Sequence, residues 1–134
     1  MGNMMAKTVV QYGKWSERKF SSKVIREIPN KNGIYIIRAT KAFCRVRGQS
    51  DIIYIGINKK QRKDGLQGRI RQHINQKSSA GKYLDELSEK FYLKIAYKTE
   101  NHEKRRCRWE SEQLKKYLRS HLELPPANSS LPKE

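Results

Sequence analysis

Residues 32–38 read "NGIYIIR" and residues 51–56 read "DIIYIG". Each is an apolar, β-branched run with a tyrosine inside and a glycine at one end, the composition of a buried strand. Pro29 and Gly33 bracket a turn into the first strand, which covers about residues 33–39. The second covers residues 52–57 and stops at a polar, glycine-containing loop, residues 58–65. Between the two lies a basic connector, residues 41–50, with Gly48 near its end. Strands joined over that length pair most simply as antiparallel neighbours. A third strand is expected in "FYLKIAYKT", residues 91–99, where apolar and polar side chains alternate.

From Asp64 onward the period changes. Leu66, Ile70 and Ile74 recur every four residues, so "DGLQGRIRQHINQ" (64–76) is expected to be a helix with Asp64 as its N-cap. A short helix around residues 83–87 follows the first. Asn101 then caps a long helix reaching about His121, which Pro125-Pro126 ends. The order β-β-α-α-β-α implies an α+β fold, a small three-stranded antiparallel sheet flanked by helices. Residues 1–30 read as an N-terminal extension, residues 31–128 as the folded domain and residues 129–134 as a polar tail.

The chain has 134 residues, with 30 Lys+Arg against 13 Asp+Glu and a formal charge of +17. That length suits one domain with a modest core. The charge excess opposes compaction and points to a polyanionic partner. No segment approaches the ~20 apolar residues of a membrane span, and no signal-peptide core follows Met1. Ala6 stands where an acylation motif built on Gly2 would need Ser or Thr. Cys44 and Cys107 lack metal-ligand spacing, so reduced thiols in a cytoplasmic protein are the expectation.

Polar residues on apolar faces carry the functional signal. On the first helix Leu66, Arg69, Ile70, His73 and Ile74 follow i, i+3, i+4, i+7, i+8 spacing, which puts Arg69 and His73 inside the apolar stripe. An arginine there is either paired or snorkels from the stripe's edge. On the last helix Cys107, Glu110, Leu114, Tyr117 and Leu118 share a face, while Glu112 points roughly the opposite way. A carboxylate centred on an apolar face must meet a cation or a metal. Two tyrosines, an arginine, a histidine and one carboxylate suit phosphodiester hydrolysis. The arginine neutralises charge on the phosphate, the carboxylate holds a hard divalent ion, and a tyrosine with a lowered pKa, or one relayed through histidine, activates water. No Ser/His/Asp set competes, and "GLQG" lacks the lysine of a phosphate loop.

Gly33-Ile34-Tyr35 followed by Tyr54-Ile55-Gly56 resembles the double signature of the GIY-YIG endonucleases. "LQGR" ending in Arg69 is similar to that family's leucine-to-arginine helix, Glu110 in "RWESEQL" falls where its metal-binding glutamate would, and Asn128 resembles its terminal asparagine. The resemblance spans about residues 33–128 and implies metal-dependent cleavage of DNA with Mg²⁺ or Mn²⁺ at Glu110. It makes Tyr35 the base or water-orienting group, Tyr54 a contact to phosphate or water, and Arg69 the transition-state stabiliser. His73 would assist the tyrosine, as in restriction-type members, and Asn128 would support the site. The 18 residues between Tyr35 and Tyr54 exceed what the commonest members have, and the additional ones are basic. Lys41, Arg45 and Arg47 there are therefore expected to contact DNA, with Lys59, Arg71, Arg105 and Arg106 as further backbone contacts. Sequence specificity would need loops, a homodimer or a partner protein. The alternatives are a nucleic-acid-binding module of the same fold without activity, and a basic structural protein of a nucleoprotein particle.

Overall fold

The computed structural model describes residues 7–8, 16–58, 63–75, 78, 80–90, 92–129 and 131. Along the chain they form β1 (Lys7–Thr8), β2 (Ser16–Lys19), a 3₁₀ helix (Ser22–Glu27), β3 (Gly33–Cys44) and β4 (Gln49–Ile57). Then come α1 (Gly65–Ile74), α2 (Gly81–Lys90), β5 (Leu93–Thr99) and α3 (Glu103–His121). The fold is α+β, as the switch from period 2 to period 3.6 requires. The sheet is wider than the expected three strands, with five in the order β1-β4-β3-β5-β2. Strands β2 to β5 pair antiparallel, and the two-residue β1 lies parallel on β4.

Residues 16–28, read from the sequence as extension, belong to this body. β2 is the polar run "SERK" and covers the open edge of β5. Phe20, Val24 and Ile28 behind it are buried against Tyr35, Leu66 and Ile70. Glu17 reaches Arg38 on β3 with two hydrogen bonds of 2.8 and 2.9 Å, and Asp51 and Lys94 flank the pair.

The expected ten-residue connector is mostly strand. β3 and β4 extend into it and leave a turn at residues 45–48, closed by Arg45 N–H donating to the Gly48 carbonyl at 3.0 Å. Gly48 has φ of 73°, which favours glycine at that corner.

Successive strand residues point to opposite faces. Tyr35, Ile37 and Ala39 pack with Leu66 and Ile70 of α1 and Leu84 of α2. Ile36, Ile52 and Ile55 pack with Leu114 and Tyr117 of α3. β4 carries a bulge. Ile37 pairs with Tyr54 and Arg38 with Ile52, so Ile53 is an inserted residue. The insertion puts Ile53 and Tyr54 both on the α1 face, where strict alternation would separate them. The carbonyl of Ile53 accepts from Ala127 N–H at 3.0 Å, so the chain after α3 closes the bulged edge. Among the described residues no helix is long and apolar enough to cross a membrane.

Candidate active site

Tyr35 sits on the central strand, opposite Gly56 of β4 on one side and Tyr97 of β5 on the other. A Cβ at Gly56 would come within 2.6 Å of the Tyr35 Cζ and Oη atoms and of Tyr54 Cε2. Glycine is therefore the residue that lets the Tyr35 ring lie across β4. Tyr54 is the diagonal neighbour on the same face, with ring centroids 5.9 Å apart and planes tilted by 32°. Gly33 opens the other flank: a Cβ there would meet the Lys98 carbonyl oxygen at 2.3 Å and Leu66 Cδ1 at 2.6 Å. That clearance lets α1 settle on the start of β3.

α1 begins where the sequence places it, after Asp64, although the Asp64 side chain makes no capping hydrogen bond. The carboxylate instead lies over Gly68, where a Cβ would come within 2.1 Å of Asp64 Cγ. Leu66 and Ile70 fill the core, and Arg69 and His73 extend from the same stripe toward the phenols. His73 is buried, with its Nε2 2.6 Å from Tyr35 Oη. Its ring also stands edge-on to Tyr54, with centroids 5.1 Å apart. Arg69 Nη1 donates to Gln72 Oε1 at 3.0 Å, which fixes the guanidinium on that face.

These groups tune one another. Burial pushes the Tyr35 phenol well above its ordinary value, the neighbouring Tyr54 adds to the rise, and Arg69 opposes it. Burial also lowers His73 to about 3, helped by the Arg69 charge, so its imidazole is neutral at pH 7. Burial works against the Arg69 charge, but the two phenols more than offset it and its pKa is held above the ordinary arginine value. A neutral phenol therefore stands against a neutral imidazole beside a permanent cation. Tyr35 is thus not a tyrosine of lowered pKa: both shifts hold the proton on the phenol, and Arg69 is the neighbour that lowers the cost of removing it.

Tyr35, Tyr54, Arg69 and His73 are thus brought together. Asn128 supports them from behind: its Oδ1 accepts from Ile55 N–H and its Nδ2 donates to the Ile55 carbonyl, both at 3.0 Å. This side-chain amide pairs with the edge of β4 between Tyr54 and Gly56, a structural task. Glu110 is half-buried on α3, in the sheet-facing line Arg106, Glu110, Leu114, Tyr117, His121. α3, which carries Glu110, packs through Leu114 and Tyr117 on the opposite face of the sheet from α1. Among the described residues no three His, Cys, Asp or Glu side chains gather as a metal-binding group.

Several expected DNA contacts have other work. Arg106 is fully buried, donating from Nε to the Asn58 carbonyl at 2.8 Å and from Nη1 to the Glu100 carbonyl at 3.0 Å. It is a core arginine, because its α3 position faces the sheet rather than solvent. Arg47 donates from Nε to the Ser120 carbonyl at 3.1 Å and from Nη2 to the Arg119 carbonyl, capping the C-terminal end of α3. Arg45 pairs with Glu123 at 3.1 Å and donates to the Leu124 carbonyl. The turn between β3 and β4 is therefore tied to the end of α3 by Arg47 and to the chain just after it by Arg45. Lys41, Arg71 and Arg105 are exposed. Lys59 lies outside the described residues.

Sequence reasoning missed the amide network joining β3, β4 and α3. Asn58 Oδ1 accepts from Gly33 N–H at 2.7 Å, and Asn58 Nδ2 donates to Asn32 Oδ1 at 2.5 Å. An asparagine at a strand end looks like a turn residue, and only the pairing shows it as a buried link. It also missed Ser78, whose Oγ lies 2.6 Å from His73 Nδ1. In "NQKSSAG" nothing distinguishes that serine from its neighbour. Compared with protein-family models, curated proteins and solved structures, the chain gives no match.

Proposed function

We propose that this chain is a metal-dependent DNA endonuclease of the GIY-YIG type, cutting phosphodiester bonds by water attack assisted by tyrosine. The observation that carries this reading is the buried cluster in which Tyr35 Oη meets a neutral His73 at 2.6 Å with Tyr54 and Arg69 alongside. A packing role alone would not require a cation, an imidazole and two phenols on one apolar face, since burying each carries a desolvation penalty.

In this mechanism the DNA backbone lies against Tyr54 and Arg69. The attacking water gives its proton to the phenol pair, and Tyr35 passes its own proton to His73 Nε2. The new bond joins the water oxygen to phosphorus, the bond from phosphorus to the leaving sugar oxygen breaks, and solvent protonates that oxygen. Arg69 stabilises the extra negative charge on the phosphate oxygens. Glu110 offers the hard oxygen donor that Mg²⁺ or Mn²⁺ takes, and one carboxylate suits an ion that keeps several waters and shares a substrate phosphate. A bound ion would supply further charge neutralisation at the phosphate. The +17 charge supports a DNA partner, and a second copy or a partner protein would add sequence specificity. Restriction, repair and homing roles are separated by the products.

The test is incubation of the purified protein with supercoiled plasmid and branched oligonucleotides, in Mg²⁺ and in EDTA, beside Glu110→Ala and Glu112→Ala. Metal-dependent cutting is expected, at least ~10²-fold slower in Glu110→Ala and unchanged in Glu112→Ala. Tight DNA binding without cutting in Mg²⁺ or in Mn²⁺ supplied in its place would replace this reading with the inactive binding module.

A further inference from the structure

Tyr35 is 0 % exposed and His73 1 %, so a proton moved between them has no direct way out. Tyr35 Oη has Arg69, a donor with no acceptor capacity, and the Tyr54 phenol as hydrogen-bonding neighbours. The phenol therefore accepts from Arg69, and its own proton is shared between Tyr54 and His73, whose Nε2 is 2.6 Å away. A neutral imidazole carries one N–H. If Nε2 accepts from Tyr35, the N–H is on Nδ1, and at 2.6 Å its partner is Ser78 Oγ.

Behind this histidine lies a cleft of about 270 Å³ lined by Phe20, Ser21, Ser22, His73, Asp85 and Ser88 among others. Ser22, Asp85 and Ser88 are exposed, so the cleft opens to solvent on the side of α2 and the 3₁₀ helix. Among the described residues, the charged and titratable groups facing His73 are Tyr35 from β3, Tyr54 from β4, Arg69 from its own helix and Asp85 from α2. From the 3₁₀ side Phe20, Ser21 and Ser22 line the cleft.

We propose that Ser78 is a positioning residue that holds His73 as its Nδ1–H tautomer, leaving Nε2 bare toward Tyr35. The catalytic part of this proposal rests on the nuclease reading; the tautomer does not. The step balances as a reversible shift. The Tyr35 proton bonds to Nε2 as Tyr35 takes the proton of the attacking water, and it returns to Tyr35 once a proton has left the phenol for the departing sugar oxygen or solvent, so the Nδ1–H on Ser78 is kept throughout. A charged imidazolium is disfavoured beside Arg69, so the ring holds the proton only transiently.

The test uses the full chain with ¹⁵N-labelled imidazoles, His73 being assigned by its loss in His73→Gln, together with single-turnover plasmid cutting across pH. In the wild type His73 should show a bare Nε2 and a protonated Nδ1. Ser78→Ala should invert or mix that pattern, slow cutting about 10–100-fold, the scale of losing a group that orients a ring, and recover rate as hydroxide replaces the imidazole at high pH. Ser78→Thr, which keeps the hydroxyl, should match the wild type in both readouts. A wild-type His73 protonated on Nε2, or a Ser78→Ala protein with tautomer and pH profile unchanged, overturns the proposal even where cutting is robust. The expected tautomer behaviour in a protein that cuts no DNA supports the role of Ser78 and removes the nuclease reading instead.

Discussion

Tyr35 Oη and His73 Nε2 lie 2.6 Å apart with both side chains sealed from solvent, joining the central strand of the sheet to the last turn of α1. Neither group has water to replace the other. Tyr35→Phe is therefore expected to leave Nε2 buried without its hydrogen-bonding partner, at a cost of about 1–3 kcal/mol in unfolding free energy. Under the proposed function it should also slow DNA cutting by ~10² or more, the range of a lost general base. Urea unfolding and single-turnover cutting measure the two separately. A loss of stability with cutting intact would assign Tyr35 to packing alone.

The depressed His73 gives a signed pH dependence. Its ordinary pKa is 6.5 and the folded value is about 3, so between those limits the unfolded chain binds the extra proton. Stability from this group is complete above the unfolded value and is lost as pH falls through the window, by about 1.4 kcal/mol per pH unit. Glu17, held below its ordinary 4.5 chiefly by its hydrogen bonds to Arg38, adds a loss of the same sign at still lower pH. Urea midpoints from pH 7 to 5 should therefore fall in the wild type and stay flatter in His73→Gln. Parallel curves would show that His73 is already charged in the folded protein.

Gly56 is fixed by a clash rather than by backbone torsion. Gly56→Ala would drive a methyl group into the Tyr35 and Tyr54 rings, within 2.6 Å of both. Overpacking of this kind costs about 1–3 kcal/mol, and here the relief is to displace Tyr35 from His73. The expected result is lower thermal stability together with a changed His73 ¹⁵N signal. A substitution that leaves that signal in place would mean the rings give way without moving the phenol.

How much of this was legible in the chain follows from what each signal depends on. The two tyrosine strands and the period-four stripe of α1 depend on local pattern, which puts Tyr35 and Tyr54 on neighbouring strands and Arg69 and His73 on one helix stripe; the bulge that turns Tyr54 toward α1 depends on the pairing with β3. β2 was not legible, because "SERK" is polar and its pairing is set by the open edge of β5. The fates of Arg45 and Arg47 depend on where α3 ends relative to the turn, a tertiary distance of more than seventy residues in the chain. Ser78 acquires its role only through the approach of His73, which no periodicity encodes.

Arg105 and Arg106 make the sharpest contrast of this kind, neighbours in the chain with opposite environments. Arg105 is exposed, while Arg106 is 0 % exposed and bonded to the Asn58 and Glu100 carbonyls. Arg106→Ala should leave both carbonyls without that donor and open a cavity, costing at least ~2 kcal/mol. Arg105→Ala should leave stability within about 0.5 kcal/mol, as surface substitutions do. If α3 tracks a DNA backbone, Arg105→Ala should reduce the slope of log K against log salt by about 0.9. Thermal unfolding and fluorescence-anisotropy titrations at several salt concentrations distinguish the pair. An unchanged salt slope in Arg105→Ala would remove the exposed side of α3 from the DNA footprint, and an unaffected Arg106→Ala would contradict the buried network itself.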